Sequence, residues 1–278
     1  MKIAFLGPEA SFTQLVASKI FGEETLMPYA TILDCFYAVR DGIVDKAVVP
    51  LENSIEGTVS MTLDYLYDFE DIFIEAEGVL PIAHHLMVHP NNSEFNKIYS
   101  HPQALAQTFH FRFSNYKEVA TQEFSSTAAA AKRVSDNPNE KWAAIANEYA
   151  ARLYGLKILH ENIQDVEKNH TKFIVISKHD QAIEIQQKEG VKKTSLLITL
   201  PEDHAGGLHQ VLSVFAWRKM NLTKIESRTL KTGLGNYFFF INIDGNWNDV
   251  IYRNSLDELR SIKAEVRYLG HYKEYILG

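Results

Sequence analysis

Short apolar runs alternate with helical spacings over roughly the first 176 residues of the chain. Residues 2–6 predict a strand, 11–21 a helix, 25–27 a short strand and 32–40 a helix. A strand over 46–49 leads into a polar knot and then a helix through Tyr67. Residues 72–88 are mostly apolar, interrupted by Gly78 and Pro81, and predict one or two strands crossing between lobes. Further on come a strand at 98–99, a helix at 102–113, a strand at 119–120, an alanine-rich helix at 127–134, a strand at 142–146, a helix at 148–154 and a strand at 173–177. Alternation of this kind implies mostly parallel sheets with helices on their faces.

The pattern changes after a polar stretch at 178–193, which reads as a linker. A strand at 194–200 is followed by an amphipathic helix at 206–220, with Leu208, Val211, Leu212 and Phe215 on one face. Then come a strand at 222–227, a turn at Gly233-Leu234-Gly235-Asn236, an apolar strand at 237–243, a helix at 250–262 and a strand at 265–272. That order is β-α-β-β-α-β, as in ferredoxin-like units. The expected fold class is therefore α/β, a larger module followed by a small one of regulatory character.

Composition narrows the function. The 278 residues are 46% apolar and 23% charged, with a net charge of −7 and no basic run, which argues against nucleic acid as a main partner. Cys35 is the single cysteine, so no internal disulfide forms, and its apolar neighbours mark it as a core thiol. No apolar run has the length of a signal core or a membrane span, and the expected location is the cytoplasm.

Chemistry concentrates at strand–helix junctions, where open α/β sheets place their ligands. The knot is Glu52-Asn53-Ser54-Ile55-Glu56-Gly57. Gly7-Pro8-Glu9-Ala10-Ser11-Phe12-Thr13 joins the first strand to the first helix, with Ser11 as cap and free N–H groups for an anion. Ser100-His101-Pro102-Gln103 opens a helix on which Gln103 and Gln107 share a face. Ser125-Ser126-Thr127-Ala128 offers hydroxyls beside small side chains, and Lys168-Asn169-His170-Thr171-Lys172-Phe173 precedes a strand. Each junction alone reads equally well as an ordinary cap or turn. Together they would line a cleft with neutral donors suited to a small organic anion. The metal, phosphate-loop and dinucleotide motifs HExxH, CxxC, GxxxxGKS and GxGxxG are absent, so no metal is expected.

In this order the five segments resemble the prephenate dehydratase family. It carries a glycine-proline turn ending in a serine–aromatic pair, Pro-(Ile/Leu)-Glu-Asn-(Ser/Thr), Ser-His-Pro-Gln, a Ser-Thr-Ala-Ala helix start and Thr-Arg-Phe. The tail resembles an ACT domain, an amino-acid-sensing module. The resemblance implies a catalytic unit at 1–180 made of two α/β lobes around a cleft, like periplasmic binding proteins, with the second lobe at about 80–155. A linker at 181–193 and an ACT domain at 194–278 would follow. The implied activity is the cofactor-free conversion of prephenate to phenylpyruvate, carbon dioxide and water, a carbon–oxygen lyase step in phenylalanine biosynthesis. Arogenate dehydration, or a non-catalytic sensor of an aromatic metabolite, are the alternatives.

Carried over residue by residue, Thr171 acts on the leaving hydroxyl, with Asn53 and Glu52 beside it as catalytic groups. Ser11, Thr13, Ser54, Ser100, Gln107, Ser126, Thr127, Lys172 and Phe173 would bind substrate. Glu52 or His170 would feed a proton relay to Thr171, a hydroxyl being a poor acid by itself. Ala205, Gly206, Gly207, Leu208, Asn221, Leu222, Glu226 and Ser227 would form the site for L-phenylalanine between ACT domains, hence a homodimer or homotetramer. Two departures stand out: Lys172 replaces the family arginine and lacks its planar fork, and Thr229 replaces the proline after Glu226-Ser227-Arg228.

Overall fold

A computed structural model describes residues 1–22, 24–185, 189–200, 205–230, 237–245 and 250–278. The turn expected at Gly233–Asn236 and part of the expected linker lie outside the described residues. The first lobe comprises β1 (Lys2–Leu6), α1 (Phe12–Phe21), β2 (Thr25–Tyr29), α2 (Ile32–Arg40), β3 (Lys46–Asn53), β4 (Gly57–Thr58), α3 (Ser60–Asp68) and β5 (Phe73–Pro81). The second comprises β6 (His85–Val88), β7 (Lys97–Ser100), α4 (Pro102–Ala106), α5 (Phe109–Asn115), β8 (Ala120–Glu123), α6 (Thr127–Ser135), β9 (Trp142–Ala146), α7 (Glu148–Leu153) and β10 (Lys157–His160). Strand β11 (His170–Ser177) returns to the first lobe, and β12 (Val191–Thr199), α8 (Gly207–Ala216), β13 (Leu222–Thr229), β14 (Tyr237–Asp244), α9 (Val250–Ser261) and β15 (Glu265–Ile276) follow.

The second lobe has its own five-stranded sheet, β10-β6-β9-β7-β8. The alternating segments give parallel pairs, β1 with β2 and β3, and β7 with β8 and β9. The sheets are mixed rather than mostly parallel as expected: β11 runs against both β3 and β5 where the chain crosses between lobes, and β6 runs against β9 and β10 in the second lobe. Such strands arrive without a helical crossover and need not be parallel.

The last four strands take the ferredoxin-like order β13-β14-β12-β15, and β15 then continues into the first lobe by parallel pairing with β5. One sheet therefore runs from the C-terminal unit into the first lobe. The join demands a close approach: Gly270, at φ +148°, faces the Ile74 backbone where a side chain would collide. One face of the C-terminal sheet is covered by α8 and α9, through Val211, Phe215, Tyr252 and Leu259 against Ile198, Phe239 and Ile241. The other face shares a core with the first lobe, where Phe238, Phe240 and Tyr272 join Phe36, Leu63 and Leu66. Phe238 stacks on Tyr67 at 4.7 Å. Cys35 lies in this core, and burial pushes its thiol up to about 12.

Two loops tie the lobes together beside the cleft. Asn147 Nδ2 donates to the Ala10 carbonyl at 3.0 Å, and the Tyr154 hydroxyl donates to the Glu9 carbonyl at 3.1 Å. The helix expected at 102–113 is broken into α4 and α5. The Thr108 hydroxyl donates back to the Ala104 carbonyl at 2.8 Å, and Gln107 becomes the C-cap of α4, which frees its side chain to turn inward.

Candidate active site

A cavity of about 340 Å³ opens between the lobes. Ser11, Thr13, Asn53, Gln107, Ser126, Thr127, Thr171 and Phe173 all line it, joined by His84, His101, Gln103 and Asn169. None of the described lining residues is Lys, Arg, Asp or Glu. Charge complementarity comes from helix ends instead. Ser11 caps α1 through Gln14 N–H and Ser126 caps α6 through Ala129 N–H, so the first N–H groups of both helices face the cavity without intrahelical partners.

Strand geometry decides which predicted residues reach this space. Thr171 pairs with Asn53 and Lys172 with Glu52, and successive side chains point to opposite faces. Thr171 and Phe173 therefore enter the cavity while Lys172 turns away. On β3 the register shifts between Lys172 and Phe173, which brings Pro50 opposite Phe173. That extra residue lets Pro50 and Asn53, three apart, face the same side.

The polar side chains form a directed network. Asn53 Oδ1 accepts from the backbone N–H groups of Ile55 (2.9 Å) and Glu56 (3.0 Å). Its Nδ2 donates to Thr171 Oγ1 at 2.7 Å and to Asn169 Oδ1 at 3.0 Å. Asn169 Nδ2 donates to Gln107 Oε1 at 3.2 Å, and His84 Nε2 lies 3.1 Å from the same oxygen. Thr171 Oγ1 thus accepts from the protein and keeps its own O–H to give. Gln107 Nε2 has no protein partner among the described residues.

Four expected site residues lie elsewhere. Ser100 is buried and donates to the Ile145 carbonyl at 2.6 Å, holding β7 to β9. Ser54 bonds the Asn169 amide oxygen and the His170 N–H at the rim. Glu52 accepts from Lys224 at 2.8 Å on the far face of β3. Lys172 sits 3.5–3.9 Å from Glu274, Glu77 and Glu52. Neither Glu52 nor His170 lines the cavity, so the expected relay through them has no geometric footing.

Behind the cavity, Glu77 is fully buried, and burial, with the nearby Glu274, raises its carboxyl to about 7. Lys193 holds both Glu77 (3.2 Å) and Glu274. This charged cluster continues into the C-terminal unit, where Lys224 bonds Glu52 and Thr58 (2.7 Å), Glu226 accepts from Thr58 at 2.9 Å, and Arg228 grips Asp64 with two nitrogens.

Of the expected effector residues, Gly206 adopts φ +88° at the start of α8, followed by buried Gly207 and exposed Leu208, with Ala205 exposed before them. Asn221 donates to Asp244 at 2.8 Å, and Leu222 pairs with Ile243. Along β13, Lys224, Glu226 and Arg228 turn toward the first lobe while Ile225 and Ser227 are exposed. Glu226 and Ser227 therefore occupy opposite faces, and the Glu226 carboxylate is committed to Thr58.

His84 and Asn169 are the site members that sequence reasoning passed over. Asn169 stands two residues before Thr171 in the same motif and carries no separate sequence signal. His84 had one signal, a polar pair (His84-His85) interrupting the apolar run after Pro81.

Known proteins agree with this architecture. The model of the prephenate dehydratase family matches residues 3–181. A prephenate dehydratase of Lactococcus lactis subsp. cremoris is 44% identical over 100% of this chain and 99% of its own length. One from Bacillus subtilis is also 44% identical, over 100% of both chains. The crystal structure of the Arthrobacter aurescens prephenate dehydratase in complex with L-Phe superposes with a TM-score of 0.86 at 34% identity, covering 98% of this chain and 90% of the other. With the full-length identity, the matched family model and this shared fold, the chain belongs to the prephenate dehydratase family.

Proposed function

We propose that the protein is a lyase that converts prephenate to phenylpyruvate without a cofactor, in phenylalanine biosynthesis. Prephenate loses its ring carboxylate as carbon dioxide and its ring hydroxyl as hydroxide. The C–C bonding pair moves into the ring as the C–O bond breaks, the ring becomes aromatic, and the hydroxide takes up a proton to become water. No electrons are gained or lost overall. The driving force lies in the substrate, so the protein need only orient it and stabilise the departing oxygen.

The observation that carries this reading is the Asn53–Thr171 pair. Asn53 fills the acceptor side of the Thr171 hydroxyl at 2.7 Å, so its O–H donates to the leaving oxygen. An alcohol is too weak an acid to surrender that proton outright, and Thr171 acts as a hydrogen-bond donor, with solvent neutralising the hydroxide. The N-termini of α1 and α6 receive the two carboxylates. Phe12, Phe173 and Ile82 provide apolar walls for the ring.

Residues 1–180 form the catalytic unit and residues 194–278 an ACT-type regulatory unit joined through 181–193. L-phenylalanine is its effector, bound near Ala205–Leu208 and Asn221–Ser227. The exposed Trp217, Val250 and Ile251 give this unit an apolar surface through which copies of the chain assemble. No described helix is long and apolar enough to cross a membrane, and the proposed location is the cytoplasm.

The test is phenylpyruvate formation by the purified chain from prephenate, with arogenate in a parallel reaction and with and without L-phenylalanine. Turnover of prephenate above arogenate, reduced by L-phenylalanine, is expected. Turnover of neither substrate would refute the reading.

A further inference from the structure

Resting on the prephenate reading, we infer that His84 is a positioning residue for the reaction: its imidazole, neutral and with the proton on Nε2, donates to Gln107 Oε1 and turns the Gln107 amide N–H groups into the cavity toward a substrate oxygen. The polarity of every link is fixed from one end. Backbone N–H groups of Ile55 and Glu56 demand an acceptor at Asn53 Oδ1. Reversing the Asn53 amide would set its N–H groups against theirs. Asn53 Nδ2 therefore points at Asn169 Oδ1, and Asn169 Nδ2 points at Gln107 Oε1. A reversed Gln107 would place donor against donor at 3.2 Å. With Oε1 so fixed, a lone pair on His84 Nε2 would face it at 3.1 Å as acceptor against acceptor, so that nitrogen carries the proton.

The remaining atoms agree. His84 Nδ1 is buried with no partner among the described residues, and in the Nε2–H tautomer it carries no proton, so no ring N–H is left unpaired. Burial pushes the imidazole down to about 4, which keeps it neutral in ordinary buffers. The ring meets Phe12 edge to face at 5.9 Å. The His84 N–H donates to Gln164 Oε1 at 3.0 Å and its carbonyl accepts from Ile163 N–H at 2.9 Å, which fixes the backbone. Gln107 lines the cavity, and its Nε2, buried and without a partner among the described residues, is the donor left over for a substrate oxygen.

Two variants separate positioning from packing and from proton transfer. H84Q keeps a neutral N–H near the Nε2 position, and H84F keeps the ring and its packing but loses the donor. H84F should lose about 10- to 100-fold in kcat/KM while melting close to the parent, and H84Q should retain most of the activity. Full activity in H84F would overturn the inference in favour of packing, and loss in H84Q equal to that in H84F would overturn it in favour of a titrating imidazole. Nitrogen-15 spectra of histidine-labelled protein without substrate supply a readout independent of turnover. They should show His84 as the Nε2–H tautomer from about pH 6 to 8, and an Nδ1–H or doubly protonated ring would overturn the assignment. Inactivity of the parent protein on prephenate would instead sink the substrate reading.

Discussion

Replacing Lys172 by methionine tests whether the residue standing where the family has arginine grips substrate or protein. Its ammonium lies 3.5 Å from Glu274, 3.6 Å from Glu77 and 3.9 Å from Glu52, and it is about a quarter exposed. A unit pair near 4 Å carries roughly 4 kcal/mol at an effective dielectric of 20. Desolvation and solvent screening offset most of that for a partly exposed lysine. Lys193 remains at 3.2 Å from Glu77 to hold the buried charge. The net loss should be about 1–2 kcal/mol, or roughly 2–8 °C in melting temperature for a chain of this size. The loss should also depend on pH. Burial raises Glu77 to about 7, so Lys172 faces a charged Glu77 only above that value, and the destabilisation should grow from pH 6 to 8. Calorimetric melts at several pH values, paired with prephenate kinetics, check both halves. KM should stay within about twofold of the parent, since the side chain points away from the cavity. A tenfold rise in KM with unchanged melting would show that Lys172 binds substrate and that the alternation argument fails.

Three further outcomes follow from the same geometry. T171V keeps the shape of the side chain but removes the donor, so kcat should fall about 10²- to 10³-fold with little change in KM, and near-parent turnover would remove Thr171 from the chemistry. For E77Q the sign runs with pH: the folded carboxyl is raised from 4.5 to about 7, so the stability it contributes is full below 4.5 and is lost as pH rises through 7. The neutral amide should therefore gain on the parent in melting temperature between pH 6 and 8, and a constant difference would show that Glu77 does not titrate there. K224M breaks the bond to Glu52; it should leave turnover without effector within about twofold while weakening inhibition by L-phenylalanine about fivefold or more, and unchanged inhibition would exclude this contact from the coupling.

The sequence made the cleft legible because its residues cluster at strand–helix junctions, and such junctions share one end of a sheet by topology. Asn53, Gln107, Ser126 and Thr171 were recoverable for that reason. Which way each side chain points was less legible. Glu52 and Lys172 adjoin true cavity residues, but their facing depends on where β11 begins, and it starts at His170 rather than after the motif. Ser100 shares a motif with Gln103 yet spends its hydroxyl inside the sheet. The ferredoxin-like order was visible in local periodicity. Its fusion to the first lobe was not, because β15 meets β5 across nearly two hundred residues of chain and the pairing uses backbone groups that carry no sequence signature.

The same alternation that removes Glu52 and Lys172 from the cleft gives them a different physical position. Asn53 and Thr171 form one cross-strand pair facing the cavity, while Glu52 and Lys172 form the adjacent pair facing the C-terminal unit. A displacement of Lys224 or Glu274 acts on the second pair directly and must reach the first through a single peptide unit of each strand. Backbone pairing joins β3 to β11 and β11 to β5 at those units. The Asn53–Thr171 bond is the most exposed to such a shift, because its 2.7 Å length and the free Thr171 O–H both depend on the two strands staying in register. The charged cluster thus sits one residue behind the Asn53–Thr171 pair and joins it to the C-terminal unit, while none of the described C-terminal residues lines the cavity.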